Sequence, residues 1–136
     1  NNMFPILLKV ASRETKELKI FGNDWNTPDG TCIRDYIHVM DLADGHIASL
    51  EYLLSSEPIF LCLNLGTGKG TSVLDLVNTF EKVNNVKIPY VFSSRREGDV
   101  EMAVANNQLA KGLLNWSPNR DIEEMVRSAW NWQLKK

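Results

Sequence analysis

Cysteine is scarce in this sequence: 136 residues contain two, Cys32 and Cys62. They share no C-x-x-C or metal-ligand spacing, which argues against a disulfide framework or a zinc centre. Two small, buried thiols in a reducing, cytoplasmic setting are expected instead. Charge of one sign is also lacking. Lys and Arg number 15 against 17 Asp and Glu, for a net charge of −2. No general attraction to nucleic acid or to an anionic membrane is therefore expected, and any anion must be held by a few placed cations. No apolar run approaches the roughly twenty residues of a membrane span, and no signal peptide is legible. Repeats and long linkers are missing too, so residues 1–136 read as a single domain with enough chain to bury a core.

A complete nucleotide loop is the next absence. Leu63 to Val77 reads LNLGTGKGTSVLDLV, an apolar run, three glycines around a lysine, then a helical pattern. A Walker-type loop ends in Gly-Lys-Ser/Thr, but Gly70 follows Lys69, and Leu63 stands where its first glycine belongs. The dinucleotide pattern Gly-x-Gly-x-x-Gly is met by Gly66 and Gly68 and fails at Thr71. The stretch reads as a tight strand-to-helix turn, with Thr71 or Ser72 as N-cap and Asp75 closing a capping box over Ser72.

Helical and extended patterns alternate along the chain, so the fold class is α/β or mixed α+β with a small sheet. Ile6, Leu7, Val10 and Ala11 follow Pro5 at helical spacing, and Leu18 to Phe21 alternates as a short strand. The segment GNDWNTPDG (22–30) is a loop, and Cys32 to Val39 is extended. Asp41 is expected to cap a helix striped by Leu42, Ala43, His46, Ile47, Leu50, Leu53 and Leu54. Ile59 to Leu65 reads as a buried strand. Further helices are expected from Val73, over 107–114, and from Ile122, with a strand at Tyr90 to Phe92.

Few constellations carry chemistry. Arg34 lies between apolar residues beside Asp35 and Tyr36, and a buried arginine needs a carboxylate or a phosphate. Arg95 and Arg96 precede Glu97, Gly98 and Asp99 in a loop. Two guanidinium forks can grip a diphosphate bidentately while a carboxylate accepts from ribose hydroxyls. Alternatively, Arg34 pairs with Asp35 or another acid and the basic run is simply solvated. His38 and His46 with Asp41 and Asp44 do not make a metal site, because eight-residue spacing is loose on a helix. Trp25, Trp116, Trp130 and Trp132 read as core or interface packing. No nucleophile–base pair and no Tyr-x-x-x-Lys is present, so no catalytic residue is assigned.

IFGNDWNTPDGTCIRDYIHVMDLADGH closely resembles the central segment of UDP-glucose 4-epimerases of the extended short-chain dehydrogenase/reductase family. The likeness continues through LNLGTGKGTSVLDLV, RREGDVEMAVANNQLA and SAWNWQ, and covers essentially the whole chain. RDYIHVxDLA alone is shared with related sugar-nucleotide dehydratases and decarboxylases. The resemblance implies a small UDP-sugar-binding domain, the C-terminal portion of such an enzyme, without the Rossmann half that carries the NAD loop and the Tyr/Lys pair. NAD is then expected in the full-length enzyme and none for this chain alone.

By the same resemblance, Asn2 and Met3 approach the sugar diphosphate, and the backbone of Lys19, Ile20 and Phe21 reads the uracil edge. Arg34 and Arg96 clamp the diphosphate, Asp99 binds the ribose within the segment that includes Glu97 and Gly98, and Tyr36 and Val73 line the same pocket. Ala103 abuts the hexose near its C2 substituent, where alanine leaves room for N-acetylated sugars. The partners implied are UDP-glucose and UDP-galactose, N-acetylated forms included, and a homodimer. Two alternatives are a stand-alone UDP-sugar-binding module and a purely structural, dimerising fragment. The helix from Asp41 and the strand from Ile59 are expected to pack on the Rossmann half, leaving sticky faces without it.

Overall fold

The computed structural model describes residues 2–136. Helix α1 (Met3–Ala11) opens the described chain, with Asn2 as N-cap accepting from the Phe4 N–H at 3.2 Å. Strand β1 (Leu18–Phe21) follows, then the 22–30 loop and the two-residue strand β2 (Ile33–Arg34). Helix α2 (Val39–Ser55), strand β3 (Thr71–Ser72) and helix α3 (Val73–Asn84) come next. Strands β4 (Tyr90–Ser93) and β5 (Met102–Ala103) precede helices α4 (Gln108–Leu114) and α5 (Ile122–Gln133).

The strands form two small sheets. β1 pairs with β4 in parallel, Leu18 opposite Tyr90 and Phe21 opposite Ser93. β2 is the centre of the other, antiparallel to β3 and parallel to β5. The main core lies between α1, β1, α3 and α5, where Leu7, Ile20, Leu76, Phe80 and Val126 are essentially inaccessible. Phe80 meets Trp130 edge-on at 5.9 Å between ring centroids. A satellite cluster of Ala110, Leu114 and Trp116 packs under α2. The helical stripe read from Val73 onward is thus buried as expected, with Ser72 as its N-cap, accepting from the Asp75 N–H at 3.0 Å.

Four expectations are corrected. Helix α2 is capped by His38, whose Nδ1 accepts from the Met40 N–H at 3.0 Å, and not by Asp41. Asp41 lies within the first turn, 1% exposed, and takes the Arg120 backbone N–H at 3.0 Å and its guanidinium at 2.5 Å. A guanidinium and an amide aimed at this carboxylate explain an acid in an otherwise interior position. Ile59 to Leu65 is not a strand, because no described strand lies alongside to complete its ladder. Cys62, in that segment, is exposed and only Cys32 is buried. Trp132, expected in core or interface packing, is 67% exposed and so is no core residue, whereas Trp116 is buried and donates to the Asp41 carbonyl at 3.1 Å.

No helix is long and apolar enough to cross a membrane among the described residues.

Candidate functional site

One cavity of about 390 Å³ opens where α1, β1, β2, the start of α3 and the 96–99 turn converge. Ten of the thirteen residues singled out in the sequence line it. Asn2 and Met3 come from the start of α1, Lys19, Ile20 and Phe21 from β1, and Arg34 and Tyr36 from β2 and its extension. Val73 is at the first turn of α3, and Arg96 and Asp99 are in the turn after β4. Glu97, Gly98 and Ala103 do not line it. Glu97 and Gly98 form the outside of the turn, where Gly98 adopts φ +82° with open space around it. Ala103 is exposed on β5, its Cα in register with that of Arg34.

The two arginines are brought together by one acid. Asp99 accepts from Arg96 Nε at 3.0 Å and from its second nitrogen at 3.2 Å, and lies 3.9 Å from an Arg34 nitrogen. Arg34 is further held by the carbonyls of Ile33 at 2.7 Å and Val100 at 2.9 Å. Arg96 also lies over the Phe21 ring, 4.5 Å from its centroid, which fixes the plane of the fork. Arg34, Arg96 and Lys19 against the carboxylates of Asp99 and Asp35 leave the cavity lining a net positive charge, suited to an anion with several oxygens. Of the alternative pairings left open for Arg34, the one with another acid forms, to Asp99, and the one with its neighbour Asp35 does not.

Backbone groups add a second recognition element. Leu18 and Gly22 donate to the carbonyls of Pro89 and Ser93, each at 2.8 Å. Strand alternation therefore turns the N–H and C=O of Lys19 and Phe21 to the opposite edge, away from β4. The Phe21 carbonyl takes the Trp25 indole N–H at 3.3 Å. Among the described residues, the Lys19 carbonyl and the Phe21 N–H then remain as an acceptor–donor pair on a strand edge belonging to cavity-lining residues.

Tyr36 stands on the wall with its ring edge-on to Phe4, 5.9 Å between centroids. Burial, reinforced by the Cys32 thiol and opposed by Arg34, pushes its phenol up to about 12. It stays neutral beside any bound anion.

The glycine loop is already filled. The carboxylate of Asp35 accepts from the backbone N–H of Thr67 and of Gly68, each at 2.9 Å, from the Ala105 N–H at 3.2 Å, and from the Thr67 hydroxyl. A Cβ on Gly66 would lie 2.5 Å from the Ala105 Cβ and 2.7 Å from an Asp35 oxygen, so glycine is required there for close approach. The stretch is thus the tight turn expected and not a nucleotide loop; that it wraps the protein's own Asp35 had no signal in the linear sequence.

The family model described as GDP-mannose 4,6 dehydratase matches residues 1–129, and the chain belongs to this family. Its fold is that of the C-terminal part of epimerases of the extended short-chain dehydrogenase/reductase fold. It is 50% identical over 99% of its length to UDP-glucose 4-epimerase 4 of Oryza sativa subsp. japonica, covering 37% of that protein. Against the UDP-glucose 4-epimerase of Bacillus subtilis the identity is 47%, over 98% of this chain and 39% of the relative. The solved UDP-glucose 4-epimerase of Stenotrophomonas maltophila, with bound NAD and formylated UDP-arabinopyranose, superposes with a TM-score of 0.96 at 39% identity, over 99% of this chain and 40% of that one. That of Bifidobacterium longum, in complex with NAD+ and UDP, gives 0.92 at 43%, over 99% and 40%. The chain thus spans about 40% of the length of the relatives it matches.

Proposed function

We propose that residues 1–136 form the UDP-sugar-binding domain of an NAD-dependent UDP-glucose/UDP-galactose 4-epimerase. The observation that carries this reading is the convergence of Arg34, Arg96 and Asp99 with the β1 edge on one cavity. In it, the two guanidinium forks hold the diphosphate. The Lys19 carbonyl accepts from, and the Phe21 N–H donates to, the uracil edge. Asp99 turns from the arginines to the ribose hydroxyls. Epimerase relatives at 46–50% identity favour this activity over the dehydratase chemistry in the family model's description.

NAD is not expected on this chain alone, which carries neither a Gly-x-Gly-x-x-Gly loop nor a Tyr-x-x-x-Lys pair and whose 66–69 glycine loop is occupied by Asp35. Hydride chemistry at the sugar is therefore assigned to no residue here, and the isolated chain is expected neither to bind NAD nor to turn over UDP-galactose. The exposed apolar face of α2, with Ile47, Leu50 and Leu54, and the exposed Ile59 and Phe60 are then where the Rossmann half of the enzyme packs. The shortfall in length against the relatives supports that occupant.

Titration of the chain with UDP tests the reading. Weak binding is expected, since half the pocket wall would come from the rest of the enzyme. Arg34→Ala and Arg96→Ala should each weaken it roughly tenfold to a hundredfold, the worth of a charge-assisted hydrogen bond. UDP-induced NMR shifts unchanged in both variants would overturn the clamp. Ala103 stands outside the cavity but on β5 opposite Arg34, where the sugar would extend beyond the diphosphate; in a complete enzyme, Ala103→Tyr should depress activity on UDP-N-acetylgalactosamine roughly tenfold to a hundredfold more than on UDP-galactose, by overpacking beside C2 of the hexose. Parallel losses on both sugars would refute a role for Ala103.

A further inference from the structure

Asp35 is placed between two cavity residues, Arg34 and Tyr36, yet it bonds to neither. Its carboxylate instead accepts from three backbone N–H groups and one hydroxyl, supplied by two separate segments, 67–68 and 105. Convergent backbone N–H groups in a tight glycine turn form an anion-binding concavity of the kind that takes a free phosphate elsewhere. Here Gly66 and the positive φ of Gly68, +73°, give the turn its shape. Thr67 braces it, its hydroxyl accepting from the Lys69 N–H at 3.1 Å. The ligand is fixed to the end of β2, so filling the loop sets the direction in which the chain leaves the sheet. One residue back is Arg34, and one residue on is Tyr36.

We propose that the 66–69 loop is an anion receptor for the chain's own Asp35, and that Asp35 is a positioning residue that aims Arg34 and Tyr36 into the cavity. The loop would act on nucleotide binding at second hand, through the residue it holds. The binding readout rests on the UDP-sugar reading above; the spectroscopic one does not.

The experiment is chemical rescue. Asp35→Ala empties the receptor without adding bulk. The variant should bind UDP roughly tenfold to a hundredfold more weakly, as expected when a charge-assisted contact is misaimed. Sodium acetate should restore much of the affinity, and neutral acetamide or matched sodium chloride should not. In parallel, the side-chain NMR signals of 15N-labelled Arg34 should shift in Asp35→Ala and return with acetate, with no UDP present. Wild-type UDP affinity in Asp35→Ala, or equal recovery with acetate and acetamide, overturns the proposal. A purely structural Asp35 would lower the melting temperature and leave the affinity of the folded population alone, which also overturns it. If Asp35→Ala does not fold, Thr67→Val removes one donor from the receptor. A UDP affinity several-fold weaker, at unchanged circular dichroism, is then the supporting result, and unchanged affinity the refuting one. A wild-type chain indifferent to UDP sinks the function proposed above, and the Arg34 signals still decide the role of Asp35.

Discussion

Helices α3 and α2 have similar sequence patterns and opposite fates. α3 has 12 residues and buries Val73, Leu76, Val77 and Phe80 against α1, β1 and α5. α2 has 17, with a longer apolar stripe, yet only Asp41 and Gly45 are buried while Ile47, Leu50, Leu53 and Leu54 stand exposed. Apolar periodicity states that a face needs a partner and not where that partner is. For α3 the partner lies within these residues. For α2 the described chain supplies it only in part, through Leu65 and Trp116, which crowd against Gly45. The cavity sits on the α3 side of this divide, on the well-packed half of the molecule.

The largest test of that contrast is truncation of matched side chains. Phe80→Ala should cost about 3–5 kcal/mol in urea unfolding, because the cavity left between α3 and Trp130 cannot collapse. Leu54→Ala, at 79% exposure, should stay within about 0.5 kcal/mol. Equal losses would mean that α2 is covered in solution by something in the sample, and sedimentation would show a larger species.

A smaller effect is expected at the glycine loop. Gly66→Ala puts a methyl group against Ala105 and Asp35, and should cost about 1–3 kcal/mol by overpacking. Gly112→Ala, where a Cβ meets nothing within 4 Å, should be neutral or stabilising on the same assay. If the two substitutions were equal, the loop would not be tightly closed on Asp35.

The smallest effect is an acid limb of stability. Burial raises the Asp29 carboxyl, but hydrogen bonds from Ser72 and Thr31 outweigh it and hold it below its ordinary value of 3.8. For Glu81, burial is likewise outweighed by the Ile88 N–H and Lys87, and the carboxyl stays below 4.5. Both groups are depressed in the folded state, so their contribution is present above those values. It fades as pH falls through the still lower folded ones. The melting temperature should therefore be flat down to about pH 5 and fall below about pH 4. Asp29→Asn should shallow that fall without changing its direction. A melting temperature that rises on acidification would contradict the sign.

Much of the secondary structure was legible because it is a local matter. The period-3.6 stripe from Val73, the cap at Ser72 and the strand alternation at Leu18 are set by neighbours a few residues away, and the structure follows them. The two-arginine grouping was only half legible: residue chemistry left a diphosphate clamp and ordinary ion pairs both open, and the family resemblance chose between them. What failed had its cause at a distance. His38 displaced Asp41 as cap because Arg120, 79 residues on, claims the Asp41 carboxylate. Ile59 to Leu65 has the composition of a strand and no described strand beside it. Asp35, being next to Arg34, was one of the counter-ions left open for it. In an extended chain, however, adjacent side chains point to opposite faces. Asp35 went to the glycine loop, and Arg34 to Asp99. The sequence by itself determined which groups are charged, which faces are apolar and where the backbone can turn tightly. Only the tertiary structure decided which charge meets which, because ion pairs and strand partners are chosen by proximity in space, and the chain's order along its length does not encode that directly.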